Sequence, residues 1–292
     1  MKKLLILSGK GGTGKTTTAS AFIRFARAKA VADCDVDAPN LHLVTEQTAE
    51  CTERIVSDFF GGDKAVIDPA KCKGCCVCQS HCRFGAIETD KNAGICKVNE
   101  YACEGCGVCT YVCPQGAVEL AADVAGRKEL YTGNGVFSTA TLKMGRGNSG
   151  KLVTDVKMDM LRNAPDTQLA IIDGSPGIGC PVIASVSGMD LVLVVAEPSR
   201  SGLSDLERLV KTAGTFGTRL TVCVNKWDTA PENTQLIREF CESKKIPFAG
   251  KIPYDKSASK AINAGLSLAD VDCPARDALK EIFETVSKLL EI

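Results

Sequence analysis

Short runs of uniformly apolar residues alternate along most of this chain with longer stretches whose apolar positions recur at helical spacing. KKLLIL (residues 2–7), LAIIDG (169–174), LVLVVAEP (191–198) and RLTVCVNK (219–226) have the length of strands. They lack the in–out alternation of a half-wet sheet, so they predict parallel strands covered on both faces. Helical spacing follows in KTTTASAFIRFARAKA, through Ala19, Phe22, Ile23 and Ala26, and again over 151–163, 203–214 and 233–244. A last helix, 276–290, gathers Leu279, Ile282, Phe283, Val286, Leu289 and Leu290 on one side. Its other side mixes acids with lysines, which predicts packing on its own domain and not a membrane anchor. VADCDVDAPNLHL reads as a strand tip followed by a loop, residues 51–60 as a short helix, and KELYTG with GVFSTATL as a hairpin turning at Asn134–Gly135. Between about Asp63 and Ala121 the rhythm breaks into a cysteine-dense, glycine-rich stretch with β-like pieces KAVID, GAIETD and GAVEL. The pattern predicts an α/β domain with a mostly parallel, doubly wound sheet, residues 1–62 and 122–292, interrupted by a small α+β domain at 63–121.

Composition narrows the chemistry. A chain of 292 residues can bury a substantial core. With 35 basic and 35 acidic residues the formal charge is zero, and nothing marks the surface for nucleic acid. No apolar run reaches the length of a membrane span. MKKLLIL has the basic tip of an export signal, but its short apolar part runs straight into a glycine loop and reads better as a buried strand. A cytoplasmic protein is expected. The 16 cysteines then point to metal ligation and not to disulfides.

Gly9-x4-Gly14-Lys15-Thr16 follows the first strand and opens the first helix. Glycines at this junction let backbone N–H groups converge on phosphate oxygens at a helix N-terminus. Gly11, Gly12, Thr13, Gly14 and Thr17 complete the cradle. Lys15 is expected on the β- and γ-phosphates, and the Thr16 hydroxyl on Mg²⁺. GRGNSGK (145–151) imitates part of the pattern, but no Ser or Thr follows its lysine. After LAII, the sequence DGSPG places Asp173 at a strand end, where it can hold the Mg²⁺ shell through water, and Gly177 where a loop can sense the γ-phosphate.

KGGTGKTT (Lys10–Thr17) resembles the deviant Walker A motif of the MinD/ParA/Mrp ATPases, the class that also holds the nitrogenase iron protein. DCDVDAPNL (Asp33–Leu41) is similar to their switch I, and DGSPGIG (Asp173–Gly179) to their switch II. The resemblance covers about 1–60 and 150–292. It implies ATP and Mg²⁺ as ligands and a homodimer formed on ATP binding. It also implies a role for Lys10, reaching the phosphates held by the other subunit, and for Asp35, positioning the attacking water. VNK and IPYDK sit where the family contacts adenine, which implicates Asn225 and Pro253.

In the cysteine block, Cys72-x2-Cys75-x2-Cys78-x3-Cys82 is repeated as Cys103-x2-Cys106-x2-Cys109-x3-Cys113-Pro114. Paired CxxC knuckles would suit zinc. The third CxxC and the x3 step, twice in tandem, suit two [4Fe–4S] clusters. At this spacing the fourth cysteine of each run serves the other cluster. One set is then Cys72, Cys75, Cys78 and Cys113, and the other is Cys103, Cys106, Cys109 and Cys82. The block resembles bacterial-type two-cluster ferredoxins, with Arg83 where a proline is usual and an extra thiol, Cys76, inside the first run. Arg83 either raises a cluster potential or is a solvated loop residue. Cys180, just past switch II, is either a ligand shared between subunits or a buried thiol near the interface.

Three functions are compatible with these motifs. The first is an ATPase whose dimerisation gates electron transfer through the clusters to a redox partner. The second is an Mrp-like carrier that loads a metal cluster into an acceptor protein. The third is a MinD-like positioning switch with redox-sensing clusters.

Overall fold

The computed structural model describes residues 1–45, 51–147 and 149–292. The chain divides into two compact units, one of Met1–Ser57, Lys128–Thr141 and Ser149–Ile292, the other of Asp58–Arg127 and Leu142–Asn148.

The strands of the larger sheet are β1 (Lys2–Leu7), β2 (Ala30–Asp33), β3 (Cys51–Ile67), β6 (Val118–Gly133), β7 (Val136–Leu142), β8 (Leu169–Asp173), β9 (Leu191–Ala196), β10 (Arg219–Asn225) and β11 (Phe248–Ile252), with β4 (Ile87–Asp90) and β5 (Ile95–Val98) paired in a second one. Among the described residues their order is β11-β10-β9-β1-β8-β2-β7-β6-β3. From β11 to β7 every neighbour is parallel. The central strands β1, β8 and β9 are buried almost throughout, as uniformly apolar runs require.

Helices α1 (Lys15–Ala26), α4 (Ser149–Asn163), α5 (Cys180–Val186), α6 (Arg200–Gly214), α7 (Pro231–Ser243), α8 (Lys256–Asn263) and α9 (Pro274–Leu290) accompany this sheet, while α2 (Val77–His81) and α3 (Val108–Val112) belong to the second unit. The N-terminal boundaries have local causes. The Ser199 hydroxyl accepts the Gly202 N–H and starts α6. Proline occupies the first position of α7 and α9, where its missing N–H costs nothing. The expected packing of the last helix is found, since Leu279, Ile282, Val286 and Leu290 enter the main core and Phe283 meets Phe22 edge-on at 5.1 Å.

One local expectation is corrected. Residues 51–60 form the start of β3 and not a helix. Ile55, Val56, Phe59 and Phe60 have spacing that fits a helix face, yet β-branched and aromatic side chains also suit a pleated edge, and tertiary pairing decides. The sequence pattern did not mark the short helix α5 after β8, which the glycines and proline of SPGIGCPV hide.

The second unit is built as two similar halves. Each begins with a carbonyl, Asp68 or Asn99, that accepts the N–H of the first cysteine in a run at 3.0 Å. Each continues through a glycine at positive φ, Gly74 or Gly105, into α2 or α3. Crossed backbone bonds, Asp68 N–H to Ala117 and Asn99 N–H to Ala86, tie the end of one half to the start of the other. Its buried cluster consists largely of cysteines, with Ala65, Ala86, Ile87 and Val118.

Candidate nucleotide site and cysteine block

The P-loop joins β1 to α1. Gly14 has φ +94, and a Cβ there would stand 2.2 Å from Asn225 Nδ2, so both conformation and space demand glycine. Asn225 Nδ2 donates to the Thr13 carbonyl at 2.8 Å, which pins the loop to the end of β10. Gly11 and Gly12 are exposed, whereas Thr13 and Lys15 are buried. The Thr13 hydroxyl is buried without a hydrogen-bond partner, a spare donor inside the phosphate loop.

Side chains converge at the first turn of α1. Lys15 Nζ donates to Asp173 Oδ1 at 2.7 Å and lies 3.7 Å from Asp35. The Thr16 hydroxyl donates to Asp173 Oδ2 at 2.7 Å. Burial alone would lower the Lys15 pKa, but Asp173, Asp35 and Asp33 outweigh it and hold the amine above its ordinary value. Burial raises the Asp35 carboxyl, against the opposing pull of Lys15. Asp33 is pushed up to about 7 by burial and by the charge of Asp173. It accepts N–H groups from Asp35, Asn40 and Leu41, so it shapes the loop that presents Asp35. The loop after Asp173 is fixed to this framework by Ser175 donating to the Cys34 carbonyl and by Gly177 N–H donating to Ser8.

Thr17, Asn225 and Pro253 line a cavity of about 170 Å³ together with Tyr254, Ile262 and Leu279. Asp228 accepts the Tyr254 N–H at 2.7 Å and joins the VNK and IPYDK loops over it. A larger opening of about 360 Å³, lined by Arg24, Arg27, Lys29 and Asp270, has no P-loop residue in its wall. Lys10 points away from the Lys15 cluster. Its Nζ is 2.6 Å from Glu197 and 3.4 Å from the Ser201 hydroxyl. Sequence reasoning missed Glu197, and it weighed Asp33 only as a lesser match for the role of Asp35 and not as the residue that shapes the loop. Glu197 had a usable signal, a carboxylate just beyond the C-terminal end of a buried parallel strand, where α/β sheets place their sites.

In the second unit, backbone N–H groups donate to four cysteine sulfurs. Cys96 donates to Cys72 at 3.5 Å, Ala86 to Cys82 at 3.4 Å, Ala65 to Cys103 at 3.4 Å and Ala117 to Cys113 at 3.3 Å. Cys82, Cys103, Cys106 and Cys109 line one small cavity. Backbone donors pull the Cys72 thiol below its usual range, while burial raises Cys78 and Cys109. Among the described residues no group of three or more His, Cys, Asp or Glu side chains is gathered closely enough to hold a metal ion. Cys75 and Cys106 are exposed, as is Cys180 at the start of α5. Asn148, within GRGNSGK, lies outside the described residues. No described helix is long and apolar enough to cross a membrane.

A parallel sheet with a glycine loop between its first strand and helix, and an aspartate at the neighbouring strand end, defines a P-loop nucleotide-binding protein. The chain belongs to the CobQ/CobB/MinD/ParA nucleotide-binding domain family, whose profile matches residues 4–268. It is 31% identical over 296 residues to the uncharacterized protein MJ0578 of Methanocaldococcus jannaschii, covering 99% of this chain and 97% of that one. A second uncharacterized protein of that organism, MJ0579, is 27% identical over 88% of this chain and 87% of its own. Among solved structures the fold is similar to the Pyrococcus furiosus cell division ATPase MinD, with TM-score 0.58, 16% identity and 99% of both chains covered. It is also similar to Pyrococcus horikoshii MinD complexed with Mg-ADP, with TM-score 0.57, 15% identity and 99% and 96% coverage.

Proposed function

We propose that the protein is an ATP-hydrolysing iron–sulfur protein in which ATP-dependent pairing of two copies is coupled to electron transfer through two [4Fe–4S] clusters. Family membership supports the nucleotide half of this reading, and the similar Pyrococcus horikoshii MinD was solved with Mg-ADP. Lys15, Thr16 and the P-loop N–H groups fit a triphosphate with its Mg²⁺, Asp173 fits the metal's water shell, and the Asn225–Pro253 cavity fits a purine. In hydrolysis Asp35 would orient a water toward the γ-phosphorus as ADP leaves. Lys10 of a second copy would add positive charge where the transition state gathers negative charge.

The observation that carries the iron–sulfur half is the set of N–H bonds to Cys72, Cys82, Cys103 and Cys113, distributed equally over the two halves. Such donors stabilise thiolates that bear the charge of a cluster. A cubane spreads its four ligands much more widely than a single ion does, so a donor set for a cluster need not be one for a lone metal. Cys72, Cys75, Cys78 and Cys113 would hold one cluster, and Cys103, Cys106, Cys109 and Cys82 the other. A bound cluster would supply one-electron transfer. The protein's part is to hold the sulfurs, donate to them and shield them.

The test is the midpoint potential of both clusters by anaerobic EPR titration, with and without a non-hydrolysable Mg-ATP analogue. A shift on nucleotide binding is expected. Identical potentials would overturn the coupling and leave cluster carriage or redox sensing as the use of the block.

A further inference from the structure

The two halves of the cysteine block share their cysteine spacing and the glycines at 74/105 and 85/116, and among the positions where they differ, two lie beside the sulfurs. At the start of α3 the residue is Gly107, with φ 78; at the start of α2 it is Cys76, with φ 59. This left-handed conformation suits glycine and is disfavoured for a residue with a Cβ. The second place is the strand residue whose N–H serves the first sulfur of each run. It is Ala65 for Cys103 and Cys96 for Cys72. One half thus has a hydrogen and a methyl group where the other has two thiols.

Both thiols lie among the ligands proposed for the first cluster. Cys96 is 2% exposed, its N–H donates to the Cys72 sulfur at 3.5 Å, and it is buried in one cluster with Cys78, against which Cys72 and Cys76 pack. Cys96 faces Thr89 in the β4–β5 ladder, and the Cys76 sulfur is 3.2 Å from the Thr89 hydroxyl and 3.1 Å from the Gly74 carbonyl. Strand pairing and a strained turn therefore bring the spare sulfurs to one place. Among the described residues, the matching places in the other half hold no thiol: they are Gly107 and Ala65.

We infer that the first cluster site carries reserve ligands, Cys96 with Cys76 behind it, so that its cluster can exchange one cysteine for another while the second cannot. The inference rests on the two-cluster reading. In the exchange one iron–thiolate bond breaks and another forms. The incoming thiol releases its proton, the outgoing thiolate takes one up, and no electron is gained or lost. Cys78, buried in the same cluster as Cys96, is the ligand best placed to be replaced.

The experiment compares Cys78→Ala with its counterpart Cys109→Ala in the full chain, purified anaerobically, by iron and sulfide content and by EPR of the reduced protein. C78A is expected to keep the wild-type iron content with an altered signal from one cluster. C109A is expected to lose about half its iron, as loss of one of two equal clusters requires. Adding Cys76→Ala and Cys96→Ala to C78A should bring it down to the level of C109A. Far-UV circular dichroism of each variant checks that the nucleotide-binding unit stays folded. Equal iron loss in C78A and C109A, or retention in the triple variant, would overturn the inference. A wild-type protein without iron would overturn the two-cluster reading instead.

Discussion

Lys10 shows how a residue whose identity is legible can have an illegible position. Its place in KGGTGKTT marks it out, yet in the single chain its amine is engaged by Glu197 at 2.6 Å. Both partners are well exposed, 41% and 37% by side chain, and an ion pair of this kind contributes only about 0–1 kcal/mol. It can be given up readily when a phosphate on a second copy offers more. Lys10→Ala should therefore leave stability within about 0.5 kcal/mol of wild type, as for most surface changes. It should cut ATP turnover by roughly 10³-fold or more, the range of a charge supplied in trans. Phosphate release and sedimentation with Mg-ATP would check this, and survival of both ATP-dependent pairing and turnover would refute the role. Lys15, Thr16 and Asp173 were legible because strand, loop and helix fix their places within a few residues. Glu197 is far away in sequence, and only the pairing of β1 with β9 brings it beside the P-loop.

Among the elements, the strands buried on both faces could be read from their composition, and the helices between them from their spacing. The edge was less legible. β3 is mostly exposed, so its side chains carry little period-2 signal, and its state is set by the neighbour it pairs with. α5 is only 7 residues long and owes much to an interaction no local pattern announces. Lys157 of α4 donates to the carbonyls of Ala184, Ser185 and Ser187, which close the end of α5. Lys157→Met should cost about 1–3 kcal/mol by leaving buried acceptors unpaired. The same variant carries a pH signature. Burial pushes Lys157 down from 10.5 to about 8, so between these values the unfolded chain keeps a proton that the native chain has lost. By linkage this group makes the native state gain stability as pH rises from about 8 to 10.5. Urea unfolding across that range should show the gain in wild type relative to K157M. A difference between the two proteins that does not change with pH would contradict it.

For the whole molecule, the contrast is between two kinds of interior. The first unit has a large aliphatic and aromatic core, whereas the second surrounds a few alanines and branched residues with cysteines. On the two-cluster reading, a unit with so little apolar burial would draw folding energy from its clusters, as small metal-bound domains do. Removing iron with a chelator should therefore abolish amide protection in 58–127 and spare the central strands 4–7 and 191–195. Hydrogen exchange by mass spectrometry would show it, and retained protection in the small unit would argue against resident clusters. The sheet order also bears on tolerance to changes of length. β3 and β6, whose far portions belong to the second unit, are the two outermost strands on their side, while the phosphate loop and Asp173 follow β1 and β8 in the middle. Lengthening a marginal hairpin disturbs no central register. A change of length at these two edge strands therefore leaves β1 and β8, and the phosphate loop and aspartate that follow them, in place.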